Sequence, residues 1–205
     1  MKLKCLIFDF DGTIADTYSI IFEIISEIFH KRGVKIPKDR KEPRSMGARE
    51  KMRKYKISRR TVVLLTRVCR RHLKKKIKTV KTFPRLKNVL KKLKKKYRLG
   101  IVTSNSKNNV KIFLKNNGLN EVFDFIETGN PLFGKHRRLK KAVKRHGYKK
   151  SEVIYVGDET RDIKAAKKVG VKIVAVSWGY ESISCLNKGK PNYLITKPER
   201  LLKIV

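Results

Sequence analysis

Five short runs of Val, Ile, Leu and Phe, each broken off by Gly, Asn, Ser or Asp, constrain this chain more than any other feature. They occupy residues 3–8, 99–103, 122–126, 153–156 and 171–176. The runs are nearly continuous rather than alternating, so each reads as a strand covered on both faces with a polar loop at its carboxyl end, the pattern of a parallel sheet. From residue 84 onward, helical periodicities fill the gaps. Leu86, Val89, Leu90 and Leu93 mark one helix face, with Pro84 expected in the first turn, and further helices are predicted over 107–117, 136–146 and 160–169. Right-handed crossovers would wind this alternation into a Rossmann-like three-layer α/β sandwich with a parallel central sheet.

Residues 17–82 break the rhythm. Ile20, Ile21, Ile24, Ile25, Ile28 and Phe29, then Val62, Leu65, Val68, Cys69 and Leu73, follow helical spacing with no strand between them. At 205 residues the chain has room for a core and a smaller insert. The expected division is an α/β core formed by residues 1–16 and 83–205 and an inserted helical domain over 17–82, with Asp16 as the N-cap of its first helix.

Charge narrows the chemistry. The chain holds 54 Lys+Arg against 17 Asp+Glu, a net +37, and residues 31–98 alone carry 30 of the bases with only Asp39, Glu42 and Glu50 opposing them. Such a field attracts phosphate-bearing partners. The lysine excess also fits the coding bias of an AT-rich genome, which favours Asn and Ile as well and needs no function. Basic stretches such as Lys91-Lys92-Leu93-Lys94-Lys95-Lys96 suit a nucleic-acid backbone. Aromatic residues are only 8% and do not interleave with the bases, which argues against a single-strand stacking platform. No apolar run approaches the roughly 18 residues of a membrane span. Cys5, Cys69 and Cys185 stand far apart with no CxxC pair and no leader pattern before them, so a cytoplasmic protein with no membrane partner is expected.

Against this basic background the acids cluster. Asp9, Asp11 and Asp16 fall within 9–16, and Asp158, Glu159 and Asp162 within 158–162, each window opening where a buried strand ends. In an open parallel sheet, ligands bind outside the carboxyl ends of strands, so the two turns are expected to face one crevice. Carboxylate oxygens converging there suit Mg²⁺, which takes one or two carboxylates, waters and phosphate oxygens.

Four motifs in order resemble the haloacid dehalogenase-like superfamily. They are Asp9-Phe10-Asp11-Gly12-Thr13, then Thr103 closing Gly100-Ile101-Val102-Thr103-Ser104-Asn105, then Lys135 in Gly134-Lys135-His136, then Gly157-Asp158-Glu159-Thr160-Arg161-Asp162. The helical insert is similar to that family's small α-helical cap, and the phosphoglycolate phosphatase-like subgroup is the nearest in appearance. The resemblance implies a Mg²⁺-dependent phosphatase acting on a small phosphorylated metabolite through an aspartyl-phosphate. Asp9 would be the nucleophile and Asp11 the general acid and base. Thr103, Ser104, Asn105 and Lys135 would bind phosphate, the last three through the amides of Ser104 and Asn105 and the Lys135 ammonium. Asp9, Asp11 through its main-chain carbonyl, Asp158 and Asp162 would hold the metal. Asp11 favours a phosphatase over a dehalogenase, because an alkoxide leaving group needs a proton and a halide does not.

Lys140 and Lys141 compete with Lys135 for the third motif, and the turn Pro131-Leu132-Phe133-Gly134 before Lys135 favours it. Glu159 and Arg161 are expected to shape the fourth loop, Trp178 to border the site or pack, and Ser45-Met46-Gly47-Ala48-Arg49 to contribute to specificity. A sugar phosphomutase shares the two aspartates, and a phosphatase or binding module acting on nucleic acid or another polyanion is the alternative that the charge suggests.

Overall fold

The computed structural model describes residues 2–30, 41–129 and 134–205. Six parallel strands, β1 (Cys5–Phe8), β2 (Arg98–Thr103), β3 (Phe125–Thr128), β4 (Val153–Gly157), β5 (Lys172–Val176) and β6 (Tyr193–Ile195), form one sheet in the order β3-β2-β1-β4-β5-β6. Strand β1 lies at the centre, paired in register with β2 on one side (Ile7 opposite Gly100) and β4 on the other (Ile7 opposite Tyr155). The chain order reverses across β1, so the crevice at its carboxyl end is the switch point where α/β sheets take their ligands.

Because successive side chains in a strand point to opposite faces, each strand supplies both layers of core. Leu6, Phe8, Leu99, Ile101, Ile154, Val156, Val174 and Val176 pack on one face against Leu86, Leu90 and Leu93 of α5 (Leu86–Lys94), Phe113 of α6 (Lys107–Asn116) and Leu201 of α10 (Leu201–Ile204). Cys5, Ile7, Val102, Val153, Tyr155, Ile173 and Ala175 pack on the other face against Leu139 and Val143 of α7 (Lys135–Arg145), Ile163 and Ala166 of α8 (Thr160–Val169) and Leu186 of α9 (Ile183–Lys188). The result is the expected helix–sheet–helix sandwich.

Between β1 and α5 the described residues form α1 (Tyr18–His30), α2 (Lys41–Arg44), α3 (Ala48–Lys54) and α4 (Arg59–Lys76), with no strand among them. The chain leaves and re-enters the core side by side: Ala15 and Thr82 form an isolated antiparallel bridge, and the Asp16 N–H donates to Lys81 O at 3.0 Å. No helix among the described residues is long and apolar enough to cross a membrane.

Local departures from the sequence expectations have physical causes. Strand β3 starts three residues later than expected, because Val122 and Phe123 turn into the core, where the Phe123 ring meets Phe8 edge-on at 6.0 Å, instead of pairing. Pro84 lies in a turn two residues before α5, and the residue between them, Arg85, has a left-handed backbone (φ 65°) that the helix cannot include. Helix α1 begins at Tyr18, with Thr17 O accepting the Ile21 N–H, which leaves Asp16 one residue outside the cap position.

Candidate active site

The site starts from the way β1 ends. Asp9 continues the ladder by one bond, its N–H donating to Val156 O at 2.8 Å, which holds its side chain at the carboxyl edge between β2 and β4. The chain then turns tightly, with the Ile14 and Ala15 N–H groups both donating to Phe10 O (2.9 and 3.0 Å) and Gly12 N–H to Ala15 O (2.9 Å). Gly12 takes φ 78°, and a Cβ there would lie 2.2 Å from Asp158 Oδ2, so both its backbone and its neighbour require glycine.

Strand β4 ends at Gly157 and places Asp158 beside this turn. The next residues open α8 with a capping box, in which Asp162 Oδ2 accepts the Glu159 N–H at 3.1 Å. One oxygen each from Asp9, Asp158 and Asp162 lies within 4.8 Å of the others, and all three residues are buried. The two acidic turns predicted to face one crevice do so.

Lys135, the first residue of α7, reaches into this group. Its Nζ donates to Asp9 Oδ2 at 2.6 Å and to Asp162 Oδ1, which the Tyr155 hydroxyl also contacts at 3.3 Å. Burial works against the Lys135 charge, but the Asp162 and Asp9 carboxylates outweigh it and hold the ammonium above its usual pKa. Lys140 and Lys141 face solvent. Pro131, Leu132 and Phe133 lie outside the described residues.

Asp158 has a different environment. Thr13 Oγ1 donates to its Oδ1 at 2.6 Å and the Tyr180 N–H to its Oδ2 at 2.7 Å, both neutral donors. Burial, followed by repulsion from Glu159, Asp9 and Asp162, pushes its carboxyl well above the usual range. Asp162 is pushed up to about 6, chiefly by burial and against the pull of Lys135. A set of buried hard oxygens with one contacting ammonium and one carboxylate bonded only by neutral groups fits an added divalent cation, because a cation relieves both repulsion and desolvation.

Asp11 stands apart from the cluster. Asn105 Nδ2 donates to both of its oxygens at 3.1 Å, and Thr17 Oγ1 to Oδ1 at 3.1 Å. Thr17 in turn shares a hydrogen bond with the Tyr180 hydroxyl (3.0 Å). Burial, then the Asp9 charge, raises the Asp11 carboxyl to about 6 despite these bonds.

Thr103 is fully buried at the end of β2, and its Oγ1 accepts the Asn105 N–H at 2.9 Å. This corrects the sequence reading of Asn105. Its amide is engaged inside the loop rather than open to a phosphoryl oxygen, and its side chain serves Asp11 instead. The Thr103 hydroxyl keeps its own proton to donate. Ser104 O accepts from Arg70 Nη2, which also donates to Gly129 O at 3.0 Å, so α4 is pinned to the loops that follow β2 and β3.

The remaining predicted residues surround these. Arg161 pairs with Glu159 (Nε to Oε2, 2.6 Å), shaping the fourth loop as expected. Trp178 donates from Nε1 to Thr13 O at 3.1 Å and packs near Phe83, so it supports the first turn. Gly47 is the N-cap of α3 and lies against Thr160 and Glu181, while the side chains of Ala48 and Arg49 lie outside the described residues. A cavity of about 540 Å³ opens beside Lys135, with Arg138, Arg161, Lys164 and Lys188 on its walls and Glu50 opposing them. Sequence reasoning missed Thr17, Tyr180 and Asn109. Thr17 is one residue past the acidic window and Asn109 is one helical turn past Asn105, but nothing in the local pattern points to Tyr180.

A sequence model of the family described as haloacid dehalogenase-like hydrolase matches residues 6–176. A phosphoglycolate phosphatase from Synechococcus elongatus is 32% identical over 99% of this chain and 97% of its own length. A pyrophosphatase PpaX from Bacillus cereus is 28% identical over 100% and 97%. Among solved structures, a haloacid dehalogenase-like family hydrolase from Streptococcus pneumoniae superposes with a TM-score of 0.82 at 25% identity, covering 98% of each chain. A predicted phosphatase from Clostridium acetobutylicum, at 22% identity and a TM-score of 0.85 over 100% and 98%, shares the fold. On fold, motif order and these matches, the chain belongs to the haloacid dehalogenase-like hydrolase family.

Proposed function

We propose that the protein is a Mg²⁺-dependent cytoplasmic phosphatase that hydrolyses a small phosphate monoester through an aspartyl-phosphate on Asp9. One observation carries this reading: Asp9, at the mouth of the central strand, lies with Asp158 and Asp162 inside 4.8 Å while a buried lysine grips its Oδ2. The phosphoglycolate phosphatase relative supports a small anionic ester as substrate. Residues 17–82 act as a cap over the carboxyl edge of the sheet, excluding water and bounding the leaving group.

Asp9, Asp158 and Asp162, with the main-chain carbonyl of Asp11, would hold the metal. When bound, Mg²⁺ supplies positive charge that lets a carboxylate approach a phosphoryl group. The chain's own residues do the rest. An Asp9 oxygen attacks phosphorus in line, and the ester P–O bond breaks with its electron pair leaving on the alcohol oxygen. Asp11, whose carboxyl burial and the Asp9 charge push up to about 6, gives that oxygen its proton. The resulting Asp11 carboxylate then takes a proton from water, whose oxygen attacks the same phosphorus. The bond to Asp9 breaks and inorganic phosphate departs. Lys135 holds Asp9 in place and balances charge, and the Thr103 hydroxyl donates to a phosphoryl oxygen.

The test is turnover of p-nitrophenyl phosphate, 2-phosphoglycolate and inorganic pyrophosphate with and without Mg²⁺, in the wild type and in Asp9→Asn. Release of phosphate only with the metal, and only from the wild type, is the expected result. Near-normal turnover by Asp9→Asn would overturn the assignment of the nucleophile. With a sugar phosphate as a fourth substrate, transfer of the phosphoryl group to a second position on the sugar, with no phosphate released, would favour a mutase.

A further inference from the structure

Asn109 lies in the first turn of α6, only 1% exposed, and none of the four motifs includes it. Its Nδ2 carries two hydrogens and has two acceptors, both at 3.1 Å: Asn105 Oδ1 and the main-chain oxygen of Arg70 in α4. Asn105 Oδ1 also accepts the Ser106 N–H at 2.8 Å. Two donors on one oxygen fix which way the Asn105 amide faces. They turn its Nδ2 toward Asp11, where it donates to both carboxyl oxygens. Flipped by 180°, the amide would set its oxygen against the Asp11 carboxylate and its NH₂ against the Ser106 N–H and Asn109 NH₂.

We infer that Asn109 is a positioning residue: by donating to Asn105 and to the backbone of α4 at once, it holds the Asn105 amide in the orientation that aims Asp11 at the departing oxygen. The inference rests on the reading of Asp11 as general acid. The second bond ties that alignment to the seating of α4, which Arg70 pins to Ser104 and Gly129. Displacing α4 would remove one of the two acceptors that orient Asn109, so docking of this helix supports the alignment of the acid.

The leaving group reports on the acid. A p-nitrophenolate departs without a proton, whereas an alkoxide needs one, so misalignment of Asp11 slows alkyl esters selectively. The experiment compares kcat/KM for an alkyl phosphate with kcat/KM for p-nitrophenyl phosphate, which covers steps up to loss of the leaving group. It is run on wild type, Asn109→Leu, Asn109→Ser and Asp11→Asn. The ratio of the two values is independent of the folded fraction, so instability from a buried substitution does not imitate the effect.

In Asp11→Asn the alkyl-to-aryl ratio should fall by about 100-fold or more, the usual contribution of a general acid. In Asn109→Leu it should fall by about tenfold, and in Asn109→Ser, which keeps one donor, by less. A ratio unchanged in both Asn109 variants but lowered in Asp11→Asn would overturn the positioning role and leave the acid assignment standing. A ratio unchanged in Asp11→Asn would overturn the acid assignment, and this inference with it.

Discussion

Two glycines from distant parts of the sequence make room for one carboxylate. A Cβ on Gly179 would sit 2.3 Å from both Asp158 Oδ2 and Gly12 O, and the second of these is backbone that cannot swing away. Gly179→Ala should therefore cost about 1–3 kcal/mol, the usual range for overpacking, and displace Asp158 from the Tyr180 N–H. Thermal unfolding with and without Mg²⁺ measures both effects: a lower Tm, and a smaller rise in Tm on adding the ion than the wild type shows. Glu181 supplies a separate test at the same scale. It is fully buried, accepts from Thr160 N–H at 2.7 Å, and burial followed by Glu159 pushes its carboxyl up to about 7. A folded-state pKa above the ordinary carboxyl value favours the protonated form, so its contribution to stability is present below about pH 4.5 and is lost as pH rises to about 7, amounting to at most about 3 kcal/mol. Glu181→Gln keeps an acceptor for Thr160 and removes that loss. Its stability relative to wild type should rise between pH 5 and pH 8 in chemical denaturation, and a difference flat in pH would contradict the shift. The sequence announced Asp9, Asp158 and Asp162 because acids are scarce in this chain and these follow buried strands. It did not announce Tyr180, which meets Asp11's hydrogen-bond network only through tertiary approach, or the bond from Asn109 to Arg70 O that links α6 to α4.

At the scale of elements, strands buried on both faces leave a strong mark in sequence, and β1, β2, β4 and β5 were legible to within two residues at either end. Strand β6 was not, because it is a three-residue edge strand in which only Ile195 is buried, so it needs no apolar run. Helix positions followed from apolar spacing, while helix ends depended on capping groups. Helix α4 shows this: Ser58 Oγ accepts the Thr61 N–H at 3.1 Å and fixes its start, although the first apolar position of its pattern is Val62. Its apolar stripe, including the buried Leu65, Cys69 and Leu73, faces inward while Lys74, Lys75 and Lys76 stay in solvent. Ser58→Ala should destabilise α4 by about 1 kcal/mol, the usual worth of an N-cap. Amide hydrogen exchange resolves the effect by element. Protection should fall in α4 and remain in the central strands, and uniform loss across the chain would mean that α4 unfolds only with the core.

The whole molecule carries a charge that its acids cannot pair: 54 bases against 17 acids leaves 37 cations without an acidic partner even if every acid takes one. Lys91, Lys92, Lys95 and Lys96 are among those exposed to solvent. Asp9, Asp158, Asp162 and Lys135 are buried, so salt reaches the two populations unequally. Exposed charges more than about 10 Å from a ligand are screened at 0.1 M salt, whereas close buried pairs are screened far less. If the surface field gathers small anionic substrates, raising NaCl from 50 to 300 mM should increase KM for a dianionic phosphate ester several-fold and leave kcat unchanged. Duplex DNA offers a control, since binding through lysine–phosphate contacts weakens steeply with salt, by roughly a power of the number of contacts. DNA should then inhibit at 50 mM NaCl and lose that effect by 300 mM, without being a substrate. A KM indifferent to salt would mean that the field does not reach the site, leaving the lysine excess to compositional bias and substrate capture to the lining of the cavity beside Lys135.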